Sequence, residues 1–332
     1  MPKARFLYLL GALLLVACTT PPAYRVVEGA MLGTTLRIVA ETPEESATLF
    51  REAMQLDRAA KASMSLFDEQ SRLSRLNRNE SDSLDEHLAY NITLADSVSR
   101  LSAGAYDITI APLTRAWGFA GKAAEQQPNI DSLLEFIGYE KIRIEGSRLI
   151  KSDPRVQLDL NSIAKGYTVD LLARMLEERG VENYLVDIGG EVRCRGVNRT
   201  GNPWRIGIET PFDGNMTNGE HIQQRIALND GALATSGNYR RFYLDSEGRK
   251  VAHTLDPRTG KSRLSRLLSA TVIAPTCAEA DALCTMLMAL GDREAVAFAE
   301  EHPELAVYLI LASDTEAEYE EYCSEAMRQK MM

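Results

Sequence analysis

The stretch Gly231–Gly260, GALATSGNYRRFYLDSEGRKVAHTLDPRTG, carries the clearest fold signal in the sequence. Two segments of alternating polarity, Tyr239–Leu244 and Lys250–Leu255, are joined by the turn residues Asp245–Gly248. The polar clusters TSGN and DPRTG precede and follow these segments. The pattern predicts a β-hairpin, whose two strands pair antiparallel.

The rest of the chain interleaves helical and strand patterns and contains no GxGxxG fingerprint and no internal repeat. Antiparallel hairpins in such a chain favour a single α+β domain with mixed or antiparallel sheets over a doubly wound parallel sheet. The periodicity predicts two strands within 25–40, and others at 103–112, 156–160, 184–193, 204–211, 268–275 and 305–311. It predicts helices over 43–65, 84–102, 168–179 and 276–290.

The N-terminus has the pattern of a bacterial lipoprotein signal peptide, assigned to residues 1–17. Its apolar run is too short to span a bilayer as a mature helix. The run ends in Leu-Val-Ala-Cys, which resembles a lipobox and makes Cys18 the predicted lipidated first residue. The alternative is a plain secretory signal with an incidental cysteine. We therefore expect export to the cell envelope and lipid anchoring on the periplasmic side, with 18–24 as a tether and 25–332 as the functional domain.

Composition and charge limit the possible function classes. The 332 residues are 45% hydrophobic and 25% charged, as in globular proteins. A formal net charge of −10 argues against nucleic-acid binding, which needs a basic face. Cys277 and Cys284 are seven residues apart on a predicted helix, which is too far for a bridge. No disulfide and no Cys/His metal site is predicted.

One of the four histidines, His253, lies where the second hairpin strand ends. Histidine has the unperturbed pKa nearest neutral pH, which suits it to proton transfer. The alternative is an ordinary half-buried strand histidine. The polar clusters on both sides of the hairpin favour a functional role.

The segment AGAYDITIAP, residues 103–112, predicts an alternating strand that runs into a helix with proline in its first turn. Asp107 and Thr109 then share one face, and Tyr106 lies on the other. Asp107 is either a ligand contact or a simple strand cap.

Residues 156–167, VQLDLNSIAKGY, predict a strand, a turn of small residues and a helix. Free amides and the helix dipole at such a turn favour a diphosphate, and Lys165 adds a positive charge. In the later block VDIGGE, Asp187 lies within an apolar run. It is either a pocket residue or a hydrogen-bonded residue at a bulge.

Thr276 and Glu279 have the spacing of a helix N-terminal capping box. Asp281 and Thr285, four residues apart, lie on one face of that helix. A carboxylate and a hydroxyl suit a hard cation if carbonyl, phosphate and water oxygens complete the coordination. The alternative is a capped helix with a half-exposed polar stripe.

Together these segments resemble the FAD:protein FMN transferases, the ApbE-type flavin transferases, from about Met31 to Gly291. The resemblance rests on ATSGNYRR, HTLDPRTG, GAYDITIAP, DLNSIAKGY, VDIGGE and ADALCT. Departures are mild: Ser162 stands where relatives often have Gly or Ala, and Asn238 where many have Asp or other residues.

The resemblance implies a role for each matched residue. His253 would be the general base, and magnesium would be bound by Asp281, Thr285 and the carbonyl of Ser162. The residues implied to contact FAD are Met31, Phe67, Ala105, Tyr106, Asp107, Asp159, Lys165 and Leu255.

The implied activity is Mg²⁺-dependent transfer of FMN from the substrate FAD to a Ser or Thr of an acceptor protein, with release of AMP. The acceptor is expected to be a membrane redox subunit. The alternatives are an FAD pyrophosphatase, which yields FMN and AMP, and a flavin-binding lipoprotein without catalysis.

Overall fold

The computed structural model describes residues 23–119, 129–212, 215, 219–239, 242–244, 248, 250–263, 265–313 and 318–332. The strands in these ranges are β1 Ala23–Met31, β2 Thr34–Thr42, β3 Ile142–Glu145, β4 Arg148–Lys151, β5 Tyr184–Ile188, β6 Glu191–Arg195, β7 Trp204–Glu209, β8 Ile222–Leu228, β9 Asp230–Gly237, β10 Phe242–Leu244, β11 Lys250–Ala252, β12 Leu255–Asp256, β13 Lys261–Ser262, β14 Leu267–Ala274, β15 Ala306–Ala312 and β16 Tyr319–Cys323.

The helices in the same ranges are α1 Ser46–Met64, α2 Arg72–Asn77, α3 Glu86–Leu101, α4 Ala111–Ala116, α5 Ile130–Leu134, α6 Ala164–Glu177, α7 Cys277–Leu290, α8 Asp292–Glu301 and α9 Glu325–Arg328. A single 3₁₀ turn, Tyr139–Lys141, precedes β3. In this part of the chain, no helix is long and apolar enough to cross a membrane.

The central sheet has eight strands in the order β1-β2-β5-β6-β9-β14-β15-β16. Every neighbouring pair in it is antiparallel. Because side chains alternate between the faces of a strand, neighbouring residues enter different cores. Ala232 of β9 packs with α1 and α6, and Leu233 packs with β7 and β8. The predicted α+β domain with antiparallel sheets is confirmed.

Helix α7 lies at the centre of the fold and is buried on nearly all sides. It packs on β9, β14 and α6. Thr276 caps it as predicted, since its hydroxyl accepts a hydrogen bond from the amide of Glu279 at 3.3 Å. The residues on this helix therefore have little freedom to move.

The central hairpin exists, but its strands are shorter than predicted. Phe242–Leu244 pairs with Lys250–Ala252. A second small hairpin follows at once, in which Leu255–Asp256 pairs with Lys261–Ser262. The turn residues 245–247 lie outside the described residues.

The strand predicted within residues 103–112 is wrong, since these residues form turns ahead of α4. Ala103 and Gly104 have positive φ angles of 48° and 79°. Oδ1 of Asp107 then accepts hydrogen bonds from the amide and the hydroxyl of Thr109, both at 2.7 Å. Hydrogen bonds between an aspartate side chain and nearby backbone compete with the hydrogen bonds that pair strands, and here the local bonds form instead.

The strand predicted at 156–160 is also absent, and this segment makes only a single bridge between Gln157 and Ile110. The backbone of Leu158 is hydrogen-bonded to the side chain of Asn77 instead. Nδ2 of Asn77 donates to the carbonyl of Leu158 at 2.8 Å, and the amide of Leu158 donates to Oδ1 of Asn77 at 2.7 Å. Helix α6 begins at Ala164, four residues earlier than predicted.

The sheet begins at Ala23, so two residues assigned to the tether belong to the domain. The hydroxyl of Tyr24 donates to the carbonyl of Val197 at 2.8 Å, and its ring packs edge-on against Trp204. These contacts hold the start of β1 against the fold.

Candidate active site

A cavity of about 340 Å³ opens where α7, the turn before α6 and the two small hairpins meet. Its walls contain most of the site residues that the sequence predicts. These are Ala105, Tyr106, Asp107, Asp159, Ser162, Lys165, His253, Leu255, Asp281 and Thr285. Segments more than 170 residues apart in the chain thus converge on one place.

Two of the predicted residues, Met31 and Phe67, do not line this cavity. Met31 is buried beside α1 and α6 in the core under the sheet. Phe67 follows α1, and 67% of it is exposed. Cys18 lies outside the described residues. The roles assigned to these residues stay predictions.

The crossing of α6 and α7 fixes Asp281. Gly166 lies so close to α7 that an added Cβ would stand 2.3 Å from the carbonyl oxygen of Cys277. The amide of Gly166 donates a hydrogen bond to Oδ2 of Asp281 at 2.9 Å. Gly166 lies in the first turn of α6, where backbone amides have no partner within the helix, and Asp281 supplies that partner.

A second carboxylate holds the start of α7. Both oxygens of Asp170, on α6, accept hydrogen bonds from the helix, one from the amide of Cys277 and one from Ala278, each at 2.9 Å. Arg193 of β6 donates to the same carboxylate at 2.8 Å. This negative charge is favourable because it lies at the positive end of the helix dipole.

Gly166→Ala tests whether this crossing depends on close backbone contact. We expect a loss of about 1–3 kcal/mol in the free energy of unfolding, the usual cost of overpacking, because the obstacle is main chain and cannot rotate away. Urea denaturation measures this loss. Gly29→Ala is the control, since its added Cβ would meet only the ring edge of half-exposed Phe50. Equal stability of both variants would contradict the account.

The floor of the cavity holds buried charges of both signs. Lys165 forms an ion pair with Glu191, whose side chain is almost fully buried. Burial alone lowers the pKa of Lys165, but the carboxylates of Glu191 and Asp281 outweigh it, so the pKa is raised. The lysine is therefore a fixed positive charge in the cavity.

Burial raises the pKa of both Asp281 and Glu191, and the charge of Lys165 opposes that shift. An ionised carboxylate in such a place requires cations nearby. Thr285, one turn further along α7, and Ser162 line the same cavity as Asp281, and they offer a hydroxyl and a carbonyl as hard oxygen donors. This donor set fits a cation such as Mg²⁺.

No group of three or more His, Cys, Asp or Glu side chains that could bind a metal occurs among the described residues. A metal at Asp281 would accordingly depend on backbone, hydroxyl, water and substrate oxygens.

Tyr106 and Asp107 form another part of the cavity wall. The hydroxyl of Tyr106 is hydrogen-bonded to that of Ser162 at 2.9 Å and so links this wall to the turn before α6. Burial raises the pKa of Asp107 to about 6, although the bonds from Thr109 oppose it. Asp159 accepts hydrogen bonds from the amide of Asn161 (2.9 Å) and the hydroxyl of Thr114 (3.0 Å).

His253 lies between β11 and β12 and faces the ring of Phe119 edge-on, with 6.3 Å between ring centroids. The turn that follows is fixed by Asp256, which accepts the amide of Arg258 at 2.9 Å and pairs with its guanidinium. The indole of Trp117 donates to the carbonyl of Gly260 at 2.8 Å. These bonds attach the histidine-bearing segment to the end of α4.

The sequence prediction missed two residues with clear roles in the geometry, Glu191 and Thr114. A signal for Glu191 was present, because its carboxylate directly follows Gly-Gly within a predicted strand and needs a partner once it is buried. Thr114 gave no signal, since its contact with Asp159 depends on how α4 packs.

Comparisons with known proteins agree with this geometry. Residues 32–309 match the ApbE family. The chain belongs to the ApbE family. A Vibrio cholerae protein named FAD:protein FMN transferase is 36% identical over 97% of this chain and 98% of its own length. A Haemophilus influenzae protein of the same name is 36% identical over 91% of both chains.

Solved structures of ApbE proteins have the same fold. The flavin transferase ApbE from Vibrio cholerae superposes with a TM-score of 0.82 at 33% identity, over 93% of this chain and all of that one. The ApbE protein from Thermotoga maritima superposes with a TM-score of 0.81 at 27% identity, over 93% of this chain and all of that one. The family resemblance predicted from the motifs is confirmed.

Proposed function

We propose that this protein transfers FMN from FAD to a serine or threonine hydroxyl of an acceptor protein, with Mg²⁺, and releases AMP. The observation that carries the proposal is one cavity in which His253, Lys165, Asp281 and Thr285 meet, in a chain of the ApbE family. Its relatives of similar length are named FAD:protein FMN transferase.

In the proposed reaction the acceptor oxygen attacks the phosphorus on the FMN side of the FAD diphosphate. A new P–O bond forms to the acceptor, and the bond from that phosphorus to the bridging oxygen breaks. AMP leaves with the bridging oxygen. The hydroxyl proton passes to His253, the histidine of the cavity wall.

Charge stabilisation is the main requirement, because negative charge builds up on the phosphoryl oxygens during transfer. Lys165 supplies a fixed positive charge. Asp281, Thr285 and the carbonyl of Ser162 would hold Mg²⁺, which when bound would neutralise charge on the diphosphate. The other walls, with Tyr106, would orient the nucleotide.

The test uses the full chain with FAD, Mg²⁺ and a library of short peptides, each with one central serine or threonine. Covalent flavin fluorescence on peptides, with AMP released in equal amount, is the expected result. AMP with no labelled peptide would identify an FAD pyrophosphatase. No AMP at all would leave a flavin-binding protein and overturn the proposal.

We also propose that the protein is exported and anchored to a membrane through a lipid on Cys18. The support is the sequence of residues 1–18. An anchored enzyme would meet an acceptor at the membrane surface, such as a membrane redox subunit. Mass spectrometry of the mature N-terminus should show a lipidated cysteine, and an unmodified Cys18 would contradict this assignment.

A further inference from the structure

A second cavity, of about 640 Å³, lies on the face of the sheet that α1 and α6 do not cover. Its floor is the outer face of β1, β2 and β5, and its wall is the β7–β8 hairpin. The consecutive residues 204–207 of β7 all line it. Because neighbouring residues point to opposite faces of a strand, this cavity follows the edge of β7 rather than one of its faces.

That edge has no strand partner in the described ranges, where β7 pairs with β8 alone. The far edge of β8 is occupied by the C-terminal residues: the amide of Ala227 donates to the carbonyl of Lys330, and the amide of Met332 to that of Arg225. An open strand edge presents amides and carbonyls to which an extended peptide can pair.

The charges of this cavity do not suit a diphosphate. Its two arginines, Arg37 and Arg205, are outnumbered by acidic residues of the same lining, Glu28, Asp187 and Glu209. Arg37 also pairs with Glu28 at 3.8 Å. Mixed charges beside apolar side chains suit a polypeptide better than a second nucleotide group.

Asp187 does not line the first cavity, and the structure gives it the hydrogen-bonded alternative. Its carboxylate accepts the amide of Gly190 at 2.9 Å, so it is hydrogen-bonded at the turn between β5 and β6. It also lines the second cavity. The turn itself presents bare backbone, because Gly189 and Gly190 have no side chains. Their φ angles are positive, 62° and 104°.

The two cavities share part of their lining near the histidine. Gly189, Thr235 and Tyr239 line both of them. The hydroxyl of Thr254, the residue after His253, donates to the side chain of Asn238, the residue before Tyr239, at 2.7 Å. A chain lying in the second cavity would therefore lie next to the cavity whose wall contains the proposed base.

We propose that the second cavity is the acceptor groove: the hydroxyl-bearing segment of the acceptor protein pairs as an extended strand with the open edge of β7. Its serine or threonine enters the first cavity past Gly189 and Tyr239, while FAD occupies that cavity from the other side. This inference rests on the proposed FMN transfer.

Two variants of β7 test the groove with the peptide library. Gly207→Arg places a long side chain in it, and the three atoms nearest to the new Cβ all belong to the side chain of Ile222. Arg205→Glu reverses an exposed charge that lines the groove, and Arg225→Glu makes the same change on β8 outside it. Arg225→Glu is therefore the matched control for Arg205→Glu.

We expect the first two variants to raise the KM for labelled peptides by about tenfold or more, with kcat and the Kd for FAD unchanged. Arg225→Glu should behave as the wild type. Wild-type KM in both groove variants would overturn the groove while leaving FMN transfer intact. Weakened FAD binding in Gly207→Arg would assign the cavity to FAD instead. A wild type that labels no peptide would overturn the proposed function, and the groove with it.

Discussion

Replacing Asp281 with alanine is expected to abolish magnesium-dependent turnover, with a loss of about 10²–10³-fold or more. A bound metal contributes several kcal/mol of charge stabilisation in such reactions, and each 1.4 kcal/mol is a factor of ten. Asp281 is buried at the α6–α7 crossing and is the only proposed ligand with a full negative charge. The measurement is the rate of AMP release against Mg²⁺ concentration.

Glu279→Ala is the control for that experiment. Glu279 lies on the same helix, is half-buried and does not line the cavity. It should keep the magnesium dependence of the wild type. Normal turnover in Asp281→Ala would refute the metal assignment, and equal losses in both variants would indicate damage to α7 instead.

Replacing His253 with alanine is expected to slow transfer by about 10²–10⁴-fold, the usual contribution of a general base. Binding of FAD should change little, because the proposed contacts to the nucleotide come mostly from other walls of the cavity. Single-turnover transfer and fluorescence titration of FAD measure the two quantities separately.

His302→Ala is the matched histidine control, since His302 lies at the end of α8 beside Glu304. Its transfer rate should equal that of the wild type. Unchanged transfer in His253→Ala would make His253 an ordinary strand histidine. A large loss of FAD affinity in that variant would make it a binding residue.

The sequence predicted the elements in which a clear apolar periodicity extends over many residues. Helices α1, α3 and α7 and the paired strands β1 and β2 were all recognisable, and Thr276 marked the start of α7. The two predicted strands that the structure lacks fail for one reason. Apolar alternation near Asp107 and Leu158 suggested strands, but side chains of Asp107 and Asn77 take up local backbone groups instead.

The site residues that belong to sequence motifs could be predicted, whereas those whose positions depend on the packing of distant elements could not. The structure brings His253, Lys165 and Asp281 into one cavity as the motifs implied. It leaves Phe67 exposed and Met31 in the core, away from the lining of that cavity. The close contact at Gly166 and the open edge of β7 depend on how distant elements pack, which no local pattern records.

The most direct test of the central claim is mass spectrometry of peptides labelled by the full chain in the presence of FAD and Mg²⁺. We predict that a serine or threonine gains the mass of one FMN through a phosphoester, with AMP released in equal amount. His253→Ala should give far less of the same product at the same residue. Release of FMN and AMP into solution, with every peptide unmodified, would contradict protein FMN transfer.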